Sequence, residues 1–374
     1  VLEKEISELV VQLAAEEREV DESELSDLSK PDSYFDANLA HQKLLVVRLA
    51  EFSGMFAPPS QEKIFIDSSK GVASEWLCDF LGKAGIEAEE VSTRASALND
   101  NCGAGEFSPT DSWTWEEAAK DEHVLISSLQ KTSAGKIIAA ALDGDGDRCL
   151  FIESTETGCR IVDGDEMADH ILRSAEGKWH LAASIESDLS LISSLDRLDA
   201  EVLFSQTAVG DRWLSHALKS SDCNILGVED SGHLVMASPH PQGGRCLVGD
   251  GVASMLVVLC AVACEKRAQA FAKGFKRRVS IAPSNRSRWT GDNDLADTVE
   301  FIATKKMGKM KRSGLVGEAN LMLLELDGIS LGIRNSGTQA KTNVSLRVAS
   351  GKDYSNALEA MEQIILTLRE QLFD

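Results

Sequence analysis

Apolar residues recur at three- and four-residue steps through Leu2, Ile6, Leu9, Val10 and Leu13, which predicts a helix with one apolar stripe. An acidic, serine-rich stretch at residues 16–32 interrupts the pattern and reads as a loop. Leu39, Leu44, Leu45, Val47 and Leu49 predict a second helix. Pro58 and Pro59 end it, because successive prolines remove amide donors and fix φ. From residue 63 the rhythm changes. Short apolar runs at 63–67, 87–91, 136–142 and 149–153 read as strands, and 72–84 as a helix; the pattern at 124–129 fits either. Such alternation predicts β-α units on a mostly parallel sheet.

A second stretch of this kind follows. It carries predicted helices at 166–175, 210–218 and 250–265, strands at 181–185 and 201–205, and a loop at 227–233. The basic run at 273–278 reads as a solvated linker. Beyond it the pattern predicts a lysine-rich helix at 295–311, strands at 321–326, 330–334 and 343–349, and an amphipathic helix at 354–372. The expected fold class is α/β: successive α/β domains with mixed sheets, then a C-terminal α+β domain. The boundaries fall at 1–58 (a helical lead-in), 59–165, 166–276 and 277–374. No fixed-period repeat is visible.

Composition narrows the function. A chain of 374 residues implies two to four domains and excludes a single small binding module. With 38 Lys plus Arg against 60 Asp plus Glu, the net charge of −22 repels a nucleic-acid backbone, and no opposing basic face is apparent. The longest apolar run, near 253–263, is too short for a bilayer, and no secretory pattern opens the chain, so neither nucleic acid nor membrane is an expected partner. Eight scattered cysteines without a CxxC pair point to reduced thiols and a cytoplasmic protein rather than a zinc site. The first residue is Val1 rather than Met, so a preceding segment is expected.

Four loops carry chemistry. In DGDGDR, residues 143–148, the carboxylates Asp143, Asp145 and Asp147 alternate with glycines and can converge; oxygen ligands of this kind favour Mg²⁺. An EF-hand reading fails, because Arg148 and Ser154 stand where Gly and Glu are required. An aspartyl-phosphate phosphatase, with Asp143 as nucleophile, stays open. In GVEDSGH, residues 227–233, Glu229, Ser231 and His233 can face vicinal sugar hydroxyls. In RNSGTQAKT, residues 334–342, Arg, hydroxyls, amides around Gly and a nearby Lys make an anion cradle. TAVGDR, residues 207–212, opens a helix whose amides and Arg212 can hold phosphate or sugar oxygens.

The order and spacing of these four loops resemble the α-D-phosphohexomutase family, with weaker matches at KIFIDSSKGVA (63–73) and VDGDEM (162–167). The resemblance covers most of the chain. It implies four domains around a cleft, the second to fourth supplied here, and an isomerase that interconverts the 1- and 6-phosphates of a hexose or hexosamine. A phosphoserine on the first domain and a hexose 1,6-bisphosphate intermediate belong to that mechanism. The resemblance assigns Mg²⁺ to Asp143, Asp145 and Asp147, and makes Arg148 the catalytic residue that steadies the transferring group. Substrate binding falls to Glu229, Ser231 and His233, with Gly210, Asp211 and Arg212. The non-reacting phosphate falls to Arg334, Asn335, Ser336, Gly337, Thr338 and Lys341.

Two departures matter. Gln339 stands where the family commonly has Glu, and the serine loop that carries the phosphoryl group is not found. The nearest string, Ala237 to Pro241, reads as a coincidental lid segment. The expectation is therefore a chain inactive by itself, its phosphoserine domain supplied upstream or by a separate chain. The rivals are a non-catalytic sugar-phosphate-binding relative and the Mg²⁺-dependent phosphatase. Asn101-Cys-Gly103-Ala is similar to a segment of the hexosamine branch, which points to glucosamine phosphate.

Overall fold

The computed structural model describes residues 6, 9, 12, 35–60, 62–240, 243–264, 268–336 and 340–373. The expected helix at 2–13 and the acidic loop at 16–32 lie almost wholly outside them. Two compact units divide the chain, Val1–Lys43 and Leu44–Asp374. All three sheets belong to the second. Leu45 and Phe52, on the helix Ala37–Met55, are buried on one face two turns apart, and Arg48 lies between them 4.5 Å above the Phe52 ring.

The first sheet contains β1 (Ile64–Asp67), β2 (Ala88–Glu90), β3 (Ser112–Thr114), β4 (Ile137–Leu142), β5 (Cys149–Ser154) and β6 (Gly158–Val162), in the order β2-β1-β4-β5-β6-β3. Only β1 pairs in parallel, with β2 and β4; the remaining pairs are antiparallel. The sheet is thus mixed rather than mostly parallel. Tight turns cause this: residues 143–148 join β4 to β5 directly, and so short a link can only connect antiparallel neighbours. Alternate residues of β5 enter two separate cores, Cys149 and Phe151 in one, Leu150 and Ile152 in the other.

The second sheet holds β7 (Lys178–Ser184), β8 (Glu201–Thr207), β9 (Asn224–Val228), β10 (Leu234–Pro239) and β11 (Arg245–Gly249), in the order β11-β10-β9-β7-β8. β7 pairs in parallel with β8 and β9, and β10 is antiparallel to β9 and β11. Ser238 therefore sits in a strand opposite Cys246, and Pro241 at the end of the 237–241 string lies outside the described residues. The helix Gly251–Ala263, capped by Asp250 through a 2.9 Å bond from Ala253, is buried almost all round.

The third sheet is wholly antiparallel. It comprises β12 (Phe275–Ile281), β13 (Lys311–Leu315), β14 (Glu318–Leu326), β15 (Ile329–Asn335) and β16 (Thr342–Val348), in the order β12-β16-β15-β14-β13. Helices Asp294–Met307 and Ser355–Leu372 cover one face through their own core. Two expectations fail here. The lysine-rich helix stops at Met307, because Gly308 takes φ +87°, and Lys311 opens a strand instead. The basic run at 273–278 is no solvated linker: it enters β12, and Lys276 is only 10 % exposed among acidic partners. The expected helix at 72–84 is likewise shorter, Leu77–Lys83. Among the described residues no helix is long and apolar enough to cross a membrane, and all eight cysteines are free thiols.

Candidate functional site

The turn between β4 and β5 carries Asp143 buried, Asp145 exposed and Asp147 half-buried, with carboxylate oxygens from all three within 4.8 Å of one another. It is pinned on two sides. The Gly144 carbonyl accepts from Val72 N at 3.1 Å, and the Gly146 carbonyl accepts from Gly251 N at 2.8 Å. The first contact requires glycine at 71, where a Cβ would lie 2.1 Å from the Gly144 oxygen. The segment 67–71 is itself held by buried Asp67, which accepts from Ser69 N and Gly103 N, both at 2.8 Å. Burial pushes the Asp67 carboxyl up to about 6.

Arg148 closes the turn. Its Nε donates to Asp143 Oδ2 at 2.6 Å, its backbone N donates to Asp143 Oδ1 at 3.1 Å, and Nε lies 3.6 Å from Asp147. Burial works to raise the Asp143 carboxyl, yet its bonds from Arg148 hold it below the usual range. Asp147 goes the other way: burial first, then the charges of Asp143 and Asp145, push it up to about 7. Its Oδ1 is buried and makes no hydrogen bond. Three crowded carboxylates, one with an orphaned oxygen, make a donor set that suits a hard divalent cation.

The second loop is stitched onto the exit of the first. Cys149 N donates to the Gly232 carbonyl at 3.0 Å, and Arg148 forms an isolated antiparallel bridge with His233. Gly232 has φ +90°, and a Cβ there would lie 2.2 Å from the Cys149 carbonyl oxygen, so only glycine fits. His233 thereby comes to rest with Nδ1 3.6 Å from Asp147 and Nε2 4.0 Å from Asp211. Burial holds its imidazole below the ordinary range although Asp211 opposes this. Glu229 Oε1 accepts from Gly210 N at 2.6 Å, and burial pushes its carboxyl up to about 7. Ser231 is partly exposed at the turn. Arg212, beside exposed Asp211, lies 5.6 Å over the Trp213 ring.

A relay of contacts leads from there to the third loop. Val209 N donates to Glu318 Oε1 at 3.3 Å, and that oxygen lies 3.6 Å from Arg334 Nη1 at the end of β15. Arg334 Nη2 also meets Glu186 Oε1 at 3.0 Å. Asn335 is committed to the fold: its amide donates to the carbonyls of Arg286 and Trp289 and its Oδ1 accepts from Thr342, each at 2.9 Å. Ser336 N donates to the Lys341 carbonyl at 2.9 Å, closing the loop beneath a half-buried Lys341. Gly337 and Thr338 lie outside the described residues. The structure thus gathers residues 143–148, 210–212 and 229–233 at one place, and Arg334 joins them through Glu318.

Sequence reasoning missed the ionic layer behind these loops. Lys276 Nζ lies 3.0 Å from both Asp165 and Asp230 and 3.6 Å from Asp163, while Lys273 reaches Asp163 at 3.1 Å and Glu166 at 2.8 Å. Asp230 belongs to the second loop, so Lys276 ties that loop to β12. Buried Arg347 donates to the Ser187 carbonyl at 2.9 Å and to Ser330 Oγ at 3.0 Å. The one available signal was the alternation of Lys276, Arg278 and Ser280 along β12, which puts them on one sheet face.

Known proteins share parts of this sequence and of its fold. The family described as phosphoglucomutase/phosphomannomutase, alpha/beta/alpha domain III, matches residues 163–277. A phosphoglucosamine mutase of Glaesserella parasuis is 26 % identical over 313 residues, 81 % of this chain and 60 % of the relative. That of Haemophilus influenzae is 30 % identical over 210 residues, 54 % of this chain and 41 % of the relative. The chain therefore spans about 40–60 % of the length of these relatives. Among solved structures, N-acetylglucosamine-phosphate mutase in its substrate complex shares the fold with a TM-score of 0.61 at 16 % identity, covering 87 % of this chain and 65 % of that one. The Aspergillus fumigatus N-acetylphosphoglucosamine mutase, in complex with GlcNAc-6P and magnesium, gives a TM-score of 0.60 at 16 % identity, covering 88 % and 65 %.

Proposed function

We propose that this chain is a member of the α-D-phosphohexomutase family and that it carries the metal, sugar and distal-phosphate sites for interconverting the 1- and 6-phosphates of a hexosamine. The observation that carries the reading is the junction of two loops: the Arg148–His233 bridge sets a carboxylate triad directly against the turn that holds Glu229 and Ser231. Glucosamine phosphate is the favoured substrate class, supported by the names of the relatives and by residues 101–104.

The roles divide as follows among the loops. Asp143, Asp145 and Asp147 would hold Mg²⁺, which would supply charge neutralisation at phosphoryl oxygens. Arg148, anchored on Asp143 at 2.6 Å, presents its remaining guanidinium nitrogens to the transferring group. Glu229, fixed by Gly210 N, accepts from sugar hydroxyls, and Ser231 and His233 flank it. Gly210, Asp211 and Arg212 contribute to the same sugar site, Gly210 through its bond to Glu229 and Asp211 beside His233. Arg334, with Ser336, Gly337, Thr338 and Lys341, grips the phosphate that does not react. Asn335 positions that loop through its bonds to Arg286 and Trp289 and leaves phosphate contact to its neighbours. A hexosamine 1,6-bisphosphate fits this division of labour, because one phosphate faces the triad while the other is held by Arg334.

The test is calorimetric titration of the chain with glucosamine 6-phosphate, with and without Mg²⁺, beside a coupled assay of 1-to-6 isomerisation. The assay runs on the chain alone and with the first domain of a phosphoglucosamine mutase added. Binding of the sugar phosphate, with turnover only in the supplemented reaction, is expected. Phosphate release from glucosamine 6-phosphate by the chain alone would replace the mutase reading with a phosphatase.

A further inference from the structure

Glu186 follows β7 and is oriented by a 3.2 Å bond from its own backbone N to Ser184 Oγ. Its carboxylate, 11 % exposed, lies between two guanidinium groups: Oε1 accepts from Arg334 at 3.0 Å and Oε2 accepts from Arg278 at 2.7 Å. Glu318 faces Arg334 from the other side at 3.6 Å. One terminal nitrogen of Arg334 thus already holds a carboxylate oxygen and the other faces one, in the place where an incoming phosphate would bring its own. A cavity of about 300 Å³ opens beside this cluster, lined by Glu186, Arg278, Lys276, Arg347 and Asp230.

We propose that Glu186 is a specificity-determining residue: it occupies Arg334 as an internal anion, and the site accepts only ligands whose charge displaces it. This rests on the reading of Arg334 as a phosphate-binding residue. A phosphate monoester carries between one and a half and two negative charges near neutral pH, against one for the carboxylate, so it wins the exchange where a weaker anion does not. The displaced carboxylate is not orphaned, because Arg278 still holds its second oxygen. That retained partner keeps the exchange from costing the full penalty of a buried unpaired charge. The internal pairing also holds Glu186 below the usual carboxylate range: burial acts to raise it, and Arg278 and Arg334 outweigh that.

Calorimetry with inorganic phosphate and with glucosamine 6-phosphate tests this on the 374-residue chain. Glu186→Gln keeps the shape and removes the competing charge, so phosphate affinity should rise by about fivefold or more. A merely structural role would give the opposite sign. Glu318→Gln, a second variant that does not touch Arg278, should raise affinity by a smaller factor. Arg334→Ala should weaken binding at least about tenfold and abolish the gain from Glu186→Gln. Loss in Arg334→Ala without a gain in either glutamine variant overturns the competition and leaves the phosphate site standing. No change in Arg334→Ala overturns the phosphate-site reading itself, and the inference with it.

Discussion

Lys276 Nζ lies 3.0 Å from Asp165 in a place where both side chains are at most one-tenth exposed. Asp230 shares the ammonium at the same distance, and Asp163 stands at 3.6 Å. Lys276 therefore compensates Asp165, at the start of the helix Gly164–Leu172, and Asp230, in the second loop, and shares Asp163 with Lys273. Burial together with its anionic neighbours pushes Asp165 up to about 7 in spite of the lysine. Replacing Lys276 by Met should cost about 3–5 kcal/mol, because it leaves buried charges unpaired. Urea denaturation near neutral pH measures this, and a loss below about 1 kcal/mol would show that the carboxylates simply take up protons.

Asp145 is the exposed member of the triad, so it contributes little to folding. Asp145→Asn should leave the denaturation midpoint nearly unchanged and lower Mg²⁺ affinity tenfold or more, about 1.4 kcal/mol per decade. Calorimetric titration with Mg²⁺ alone reads this directly. Equal affinities would remove the turn from the metal site.

Gly232 joins the two loops at φ +90° with no room for a Cβ. Gly232→Ala should cost roughly 1–3 kcal/mol of stability from backbone strain alone, more if the Cys149 carbonyl has to shift. Because the Arg148–His233 bridge lies next to it, Mg²⁺ affinity should fall in the same variant. Thermal melting and metal titration together check the pair; a stable variant with unaltered metal binding contradicts the junction.

The Glu229 carboxyl is raised by burial from an ordinary 4.5 to about 7. Between those values the folded protein retains a proton that the unfolded chain has released, so stability from this group falls as pH rises through the window. Glu229→Gln removes the titration. The wild-type chain should lose ground relative to this variant from about pH 4.5 to 7 and run parallel to it above. A difference that does not change with pH would sink the assignment.

The candidate chemistry was legible because it sits in short loops of glycine and charged residues, where spacing alone constrains geometry. DGDGDR reads as converging carboxylates without any knowledge of the fold. A single buried cation within a basic strand was not legible. Lys276 and Arg278 look like a solvated run; Arg278 does stay exposed, and only the acidic residues Asp163, Asp165 and Asp230 packed around Lys276 bury that side chain. The same holds for Glu186, an isolated acid in a serine-rich stretch whose partners, Arg278 and Arg334, are 92 and 148 residues away. Short edge strands such as Ser112–Thr114 also escaped, since three residues carry no period.

The turn at 143–148 does two jobs with the same six residues. It sets the triad, and it fixes the register in which Leu142 faces Cys149. Because alternate residues of β5 feed opposite cores, inserting one residue would trade Phe151 against Ile152 between two differently shaped interiors. Loop length here is therefore locked from behind by packing, independent of any ion. A longer turn would have to bulge outward to keep Leu142 opposite Cys149, so the spacing of the carboxylates is tied to the sheet behind them.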